Sequence, residues 1–134
     1  MYKIFIVEDH WLIQQEYTAL IEREPDLEIC GYAATAREAL EKIPQCTPDL
    51  VIVDISLADV DGIELVTQLQ TQQPDLPALI ISGHYESPYV KKALRAGARG
   101  YITKSQAWVI AEAARQVLQG KLYLGEQIRD EHPD

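Results

Sequence analysis

The sequence predicts an α/β fold, an open doubly wound sheet of five mostly parallel strands with helices on both faces. Three observations carry this. Five short apolar runs follow one another along the chain, each succeeded by a stretch with helical patterning. The runs are continuously apolar rather than alternating, as strands covered on both faces are. The 134 residues are too few for a closed eight-fold barrel, which needs about 250.

The first run, Ile4-Phe5-Ile6-Val7, stops at Glu8-Asp9-His10, so a buried strand ends at a polar edge. Residues 11–24 read as a helix with an imperfect apolar stripe, ended by Pro25. Residues 27–30 form a weaker strand, interrupted by Glu28 and closed by Gly31. Thr35 is a helix N-cap and Glu38 completes a capping box, with the helix running to Pro44. Leu50-Val51-Ile52-Val53 is the clearest central strand and also ends in an acid, Asp54. A loop with Asp59, Asp61 and Gly62 leads into a helix over 63–72, with Ile63, Val66 and Leu69 on one face. A fourth strand over 78–81 ends at Ser82-Gly83, and a helix over 88–96 ends at Gly97. The fifth strand, 100–103, stops at Lys104; the last helix covers 107–119 and Gly120 stops it. Residues 121–134 turn polar and read as a linker, or as a segment that packs elsewhere.

Composition narrows the function. Asp and Glu number 21 against 12 Lys and Arg, for a formal charge of -9. Direct nucleic-acid binding by this chain is therefore not expected, and neither is an anionic membrane surface as partner. Cys30 and Cys46 are too few for a disulfide framework and read as buried thiols. The three His show no zinc spacing. With no signal peptide and no long apolar stretch, a cytoplasmic location is the default expectation.

In a parallel sheet every strand's C-terminal end lies on one edge, where function collects. That edge gathers Glu8 and Asp9, then Asp54, Ser82 and Lys104. Carboxylates sharing a site repel one another unless a cation offsets them. Magnesium suits such oxygen donors, with Asp9 and Asp54 as direct ligands, Glu8 acting through water or from behind the ligands, and the Ser56 carbonyl as a further oxygen. There is no GxxxxGK[ST] and no GxGxxG, so nucleotide binding is not expected. The set suits attack by the Asp54 carboxylate on a phosphoryl group, with magnesium and Lys104 neutralising charge and Ser82 donating a hydrogen bond. Taken singly, each of these residues is an ordinary turn former, cap or solvated charge; their conjunction at four strand ends favours the functional reading. A flavin site at the same edge is the rival, but the loops lack a Ser/Thr/Gly-rich phosphate nest.

The pieces Ile6-Val7-Glu8-Asp9-His10, Asp49 through Asp54, Asp59-Val60-Asp61-Gly62, Ile80-Ile81-Ser82-Gly83 and Ala96 through Lys104 together resemble a response-regulator receiver domain of two-component signalling. The resemblance spans residues 3 to about 120 and implies a flavodoxin-like sheet of order 2-1-3-4-5. It implies that Asp54 takes a phosphoryl group from a histidine kinase or phosphotransfer protein. It also implies that Glu8 and Asp9 hold magnesium, that Lys104 contacts the phosphoryl group, and that Ser82 and Tyr101 are the switch pair. Tyr101 alone reads as a half-buried strand tyrosine.

Two positions depart from the family pattern: Ala58 and Ser105 stand where many receivers carry proline. His84 and Tyr85 lie near the active edge. Residues 117–124 resemble receivers that continue into a LuxR-type helix-turn-helix domain, so the expected organisation is a receiver over 1–120 and a connecting segment over 121–134. The expected whole is a transcriptional regulator, of which this chain is a truncated part, with DNA contacted only through the missing domain. Phosphorylation-dependent homodimerisation is a further expectation. The alternatives are a stand-alone or phosphorylation-independent interaction module and a small magnesium-dependent phosphatase with an Asp nucleophile. Self-phosphorylation and slow autodephosphorylation, rather than ordinary turnover, are the activities the resemblance implies.

Overall fold

The computed structural model describes residues 1–57, 59–83, 87–126 and 128. Its elements are β1 (Tyr2–Val7), α1 (Trp11–Glu22), β2 (Leu27–Ala33), α2 (Ala36–Cys46), β3 (Leu50–Asp54), α3 (Gly62–Gln72), β4 (Ala78–Ser82), α4 (Ser87–Ala96), β5 (Gly100–Thr103), a 3₁₀ segment (Lys104–Val109), α5 (Ile110–Leu118) and β6 (Tyr123–Leu124). The strands lie in the order β2-β1-β3-β4-β5-β6, and every pairing is parallel. The 2-1-3-4-5 sheet is therefore present, extended by one strand that the sequence reading placed in a linker. Tyr123 N–H donates to Arg99 O at 3.1 Å and Gly125 N–H to Tyr101 O at 2.9 Å, which fixes β6 on the free edge of β5.

The period of two along each strand divides the core into two layers. Ile4, Ile6, Ile52, Leu79, Ile81 and Ile102 pack with residues of α1 and α5. Phe5, Val7, Val51, Val53, Ile80 and Tyr101 pack with residues of α2, α3 and α4. This two-sided cover is why the strands read as continuous apolar runs.

Three local expectations are corrected. Gly31 does not close β2, which runs on to Ala33. Ile4 pairs with Ile29 but Phe5 with Gly31, so Cys30 is the extra residue of a bulge. A Cβ on Gly31 would lie 2.8 Å from the Phe5 ring and 2.9 Å from Cys46 Sγ, so close packing, not termination, demands glycine there. Pro44 does not end α2 either. It sits inside the last turn, and Thr47 caps the helix with a left-handed φ of 48°. The Lys3 ammonium secures that end, donating to Thr47 Oγ1 at 2.9 Å and to Cys46 O at 3.0 Å. The last helix begins at Ile110, because a kinked 3₁₀ segment occupies the residues before it. Cys30 and Cys46 are free, as expected, but half-buried rather than fully enclosed. Among the described residues no helix is long and apolar enough to cross a membrane.

Candidate functional site

The order of the sheet reverses between β1 and β3, and the crevice beyond their C-terminal ends is where a doubly wound fold places ligands. Glu8 and Asp9 follow β1, Asp54 ends β3, Ser82 ends β4 and Lys104 follows β5. The structure brings these groups to one edge. Glu8, Asp54 and Ser82 are almost wholly buried, at 0%, 1% and 0% exposure.

Asp54 is held through both carboxylate oxygens. Oδ1 accepts from Ser56 N–H at 3.1 Å, and Oδ2 accepts from Lys104 Nζ at 3.0 Å. Lys104 Nζ also lies 3.9 Å from Glu8 Oε1, so one ammonium faces two acids. Glu8 Oε2 accepts from His10 N–H at 3.0 Å. The His10 ring leans back over the acids, its Nδ1 3.2 Å from Glu8 Oε2 and 3.0 Å from Asp9 Oδ1. Burial pushes the Glu8 carboxyl up to about 7, and the neighbouring Asp9 and Asp54 add to that rise. His10 is pushed up in turn, by its bond to Glu8 first and by the charge of Asp9 next.

A divalent cation fits this donor set. Glu8 Oε1 and Asp9 Oδ1 are buried oxygens that accept no hydrogen bond among the described residues; Lys104 Nζ faces the first at 3.9 Å and the His10 ring the second at 3.0 Å, as ion-pair contacts. Ligand atoms of Glu8, Asp9 and His10 lie within 4.8 Å of one another. Buried carboxylate oxygens left without donors suit a hard oxygen-seeking ion such as magnesium.

Ser82 and Tyr101, the pair expected to switch, lie on the next two strands, β4 and β5. Ser82 pairs with Thr103 across the β4–β5 ladder. Tyr101 is fully buried, at 0% exposure, in the core layer that includes Val90 and Ala93 of α4. Its half-buried reading is thereby corrected, because Val90 and Ala93 of α4 and Leu124 of β6 pack with it. The Lys104–Ser105 peptide is trans. Thr103 Oγ1 and Ser105 Oγ, 3.1 Å apart, bond across that turn. Ala58, His84 and Tyr85 fall outside the described residues.

The sequence reading missed two contacts at this edge. One is the His10 ring, whose turn back onto Glu8 and Asp9 depends on the chain reversal before α1 rather than on any periodicity. The other is Asp59, noted only as part of a loop. Its Oδ1 accepts from Ala36 N–H and its Oδ2 from Arg37 N–H, each at 3.0 Å, across to the start of α2.

Known proteins share this fold. A model of the response regulator receiver domain family matches residues 4–115. The chain is 33% identical over 125 residues to the DNA-binding transcriptional activator DevR/DosR of Mycobacterium tuberculosis, covering 92% of this chain and 58% of that protein. It is 32% identical over 120 residues to the response regulator protein VraR of Staphylococcus aureus, covering 89% of this chain and 57% of that one. The chain thus spans somewhat more than half the length of these relatives. A crystal structure of a LuxR-family two-component response regulator from Aurantimonas sp. SI85-9A1 matches with a TM-score of 0.94 and 32% identity, covering 98% of this chain and 94% of that chain.

Proposed function

This chain belongs to the response-regulator receiver domains, and we propose that Asp54 is its phosphoacceptor, charged by a histidine kinase or phosphotransfer protein. The observation that carries the assignment is the pairing of the buried Asp54 carboxylate with Lys104 Nζ at 3.0 Å, with the buried Glu8 carboxylate 3.9 Å from the same ammonium.

Glu8, Asp9, Asp54 and the Ser56 carbonyl are the groups that would hold magnesium, which when bound would neutralise charge on the phosphoryl oxygens. Asp54 supplies the nucleophilic oxygen, oriented by the Ser56 N–H. The Lys104 ammonium offsets the negative charge gathering on the transferred group. The Ser82 hydroxyl, at the adjacent strand end, donates to the phosphoryl group once Asp54 carries it. Drawing Ser82 inward biases Tyr101 and the surface of α4 and β5, a shift between two pre-existing arrangements. The switch includes the sheet through β6, and the chain beyond it leads to an output domain that contacts DNA in the intact regulator. Phosphorylation then controls transcription through that domain, with pairing of two receivers as one route.

The test is intact mass after incubation with acetyl phosphate and magnesium. A single gain of one phosphoryl group, about 80 Da, is expected in the wild type and absent in Asp54→Asn. A folded wild type that binds magnesium and takes no label overturns the assignment.

A further inference from the structure

The loop between β3 and α3 carries two of the groups assigned to the phosphoryl site: the Ser56 N–H that orients Asp54 and the Ser56 carbonyl. Its far end is well secured. Asp61 caps α3, its Oδ1 accepting from Ile63 N–H at 2.7 Å and Glu64 N–H at 3.1 Å. Gly62 N–H donates back to Ile55 O at 2.8 Å. A Cβ on Gly62 would meet Asp54 O and would lie 2.8 Å from Ile55 Cα, so the end of the loop is pressed against its beginning.

Between these points the loop reaches sideways to α2. Asp59 spans the first two amides of that helix with one oxygen each. These are donors that a helix leaves unsatisfied at its start. The helix has its own cap as well: Thr35 Oγ1 accepts from Glu38 N–H at 3.1 Å, and Glu38 Oε1 accepts from Ala34 N–H at 2.6 Å. Asp59 is therefore a second cap, supplied by a loop 22 and 23 residues away in sequence. The two amides, Ala36 first, hold its carboxyl below the usual range, so the contact is made by the charged form. Helix α2 is itself fixed to the sheet by the buried Ala36, Ala39 and Ile43. A rigid body thus holds the middle of the loop.

We infer that Asp59 is a positioning residue for phosphoryl transfer: by bridging the first two amides of α2 it holds the acceptor loop so that Ser56 presents its N–H to Asp54 and its carbonyl to the cation. The inference rests on the reading of Asp54 as the phosphoacceptor. Displacements of about 1 Å in a reacting site cost up to about 100-fold in rate, and Ser56 lies only three residues from Asp59.

The experiment compares wild type, Asp59→Ala, Asp59→Asn, Thr35→Ala and Asp54→Asn in three measurements. These are labelling by acetyl phosphate, half-saturation by magnesium read from tryptophan fluorescence, and the melting temperature. Thr35→Ala removes the local cap of the same helix and leaves the loop untouched, so it controls for helix destabilisation. Asp59→Ala is expected to slow labelling about tenfold and to raise the magnesium half-saturation several-fold. Thr35→Ala should lower the melting temperature comparably while labelling stays within about twofold of wild type. Asp59→Asn, which keeps one acceptor oxygen, should fall between Asp59→Ala and wild type; it also decides the matter if the alanine variant does not fold. Labelling and magnesium binding of the Asp59 variants equal to wild type, or an equal loss in Thr35→Ala, overturns the inference. If the wild type takes no label, the phosphoacceptor reading fails by itself, and the positioning role is judged on magnesium half-saturation alone.

Discussion

Lys104 faces Asp54 across 3.0 Å and Glu8 across 3.9 Å, while its side chain stays partly open to solvent. Replacing it with glutamine keeps an N–H donor at the end of the side chain and removes the charge. Loss of one preorganised group that neutralises developing charge costs about 100-fold in rate. Lys104→Gln is therefore expected to label with acetyl phosphate about 100-fold more slowly, while magnesium still raises its melting temperature. Labelling at the wild-type rate would remove Lys104 from the mechanism. The position of this lysine was legible in the sequence because a strand's end is legible: the apolar run 100–103 stops at one charged residue, and parallel strands stop on one edge. The same logic located Glu8, Asp9, Asp54 and Ser82. It had no access to Asp59 or to the His10 ring, because both act through loop conformations that no periodicity encodes.

Elements were legible where hydrophobic period and cap agreed. Thr35 and Glu38 mark the start of α2: Thr35 Oγ1 accepts from Glu38 N–H as a capping box requires, while the Glu38 side chain reaches one residue further back, to Ala34 N–H. One strand end and one helix end were misread, where Gly31 and Pro44 were taken as stops, while Gly97 and Gly120 do follow the ends of α4 and α5. Gly31 is a packing requirement inside β2, and Pro44 occupies a last turn closed by Thr47 N–H to Ile43 O at 3.0 Å. Gly31→Ala forces its methyl into the Phe5 ring and Cys46 Sγ, and overpacking of that kind costs about 1–3 kcal/mol. Chemical denaturation should show that loss; a neutral result would mean the bulge relaxes freely. Elsewhere Arg115 of α5 grips the connection between α1 and β2. Its Nε donates to Asp26 Oδ2 at 3.1 Å, and its Nη2 to Asp26 Oδ1 at 2.9 Å and Glu24 Oε1 at 2.8 Å. The guanidinium bond holds the Asp26 carboxyl below its usual range. A lowered folded-state value gives stability that is complete above the unfolded value of about 4 and is lost as pH falls through the folded one. The stability gap between wild type and Arg115→Gln should therefore narrow as pH drops below about 4. It should also narrow in high salt, because the pair is only half-buried. A gap that is flat from neutral to acid pH would show that the grip is packing rather than charge.

At the scale of the molecule, an open parallel sheet sets its acidic groups side by side at one edge. Five strands were evident from five apolar runs, whereas β6 is two residues long and its strand character comes from the edge of β5 rather than from its own sequence. The chain carries a formal charge of -9, and part of its acidity is concentrated where Glu8, Asp9 and Asp54 meet. Burial there raises Glu8, and Asp54 adds to the rise, so the two acids repel in the metal-free protein. That repulsion is a cost in stability borne by a site arranged for chemistry. A divalent cation that binds only the folded state adds stability by mass action, about 2.7 kcal/mol at 100 times its dissociation constant. The two effects predict opposite signs in one variant. Without magnesium, Asp54→Asn removes one of the facing charges, and Lys104 retains Glu8 as its partner. Its melting temperature should lie above the wild type's. With saturating magnesium the wild type should gain several degrees and Asp54→Asn less, because one ligand oxygen has lost its charge. The two melting curves should therefore cross as magnesium is titrated at constant ionic strength. Equal magnesium increments in both proteins would mean that Asp54 does not share the cation with Glu8 and Asp9, and the assignment of the edge as one site would fail.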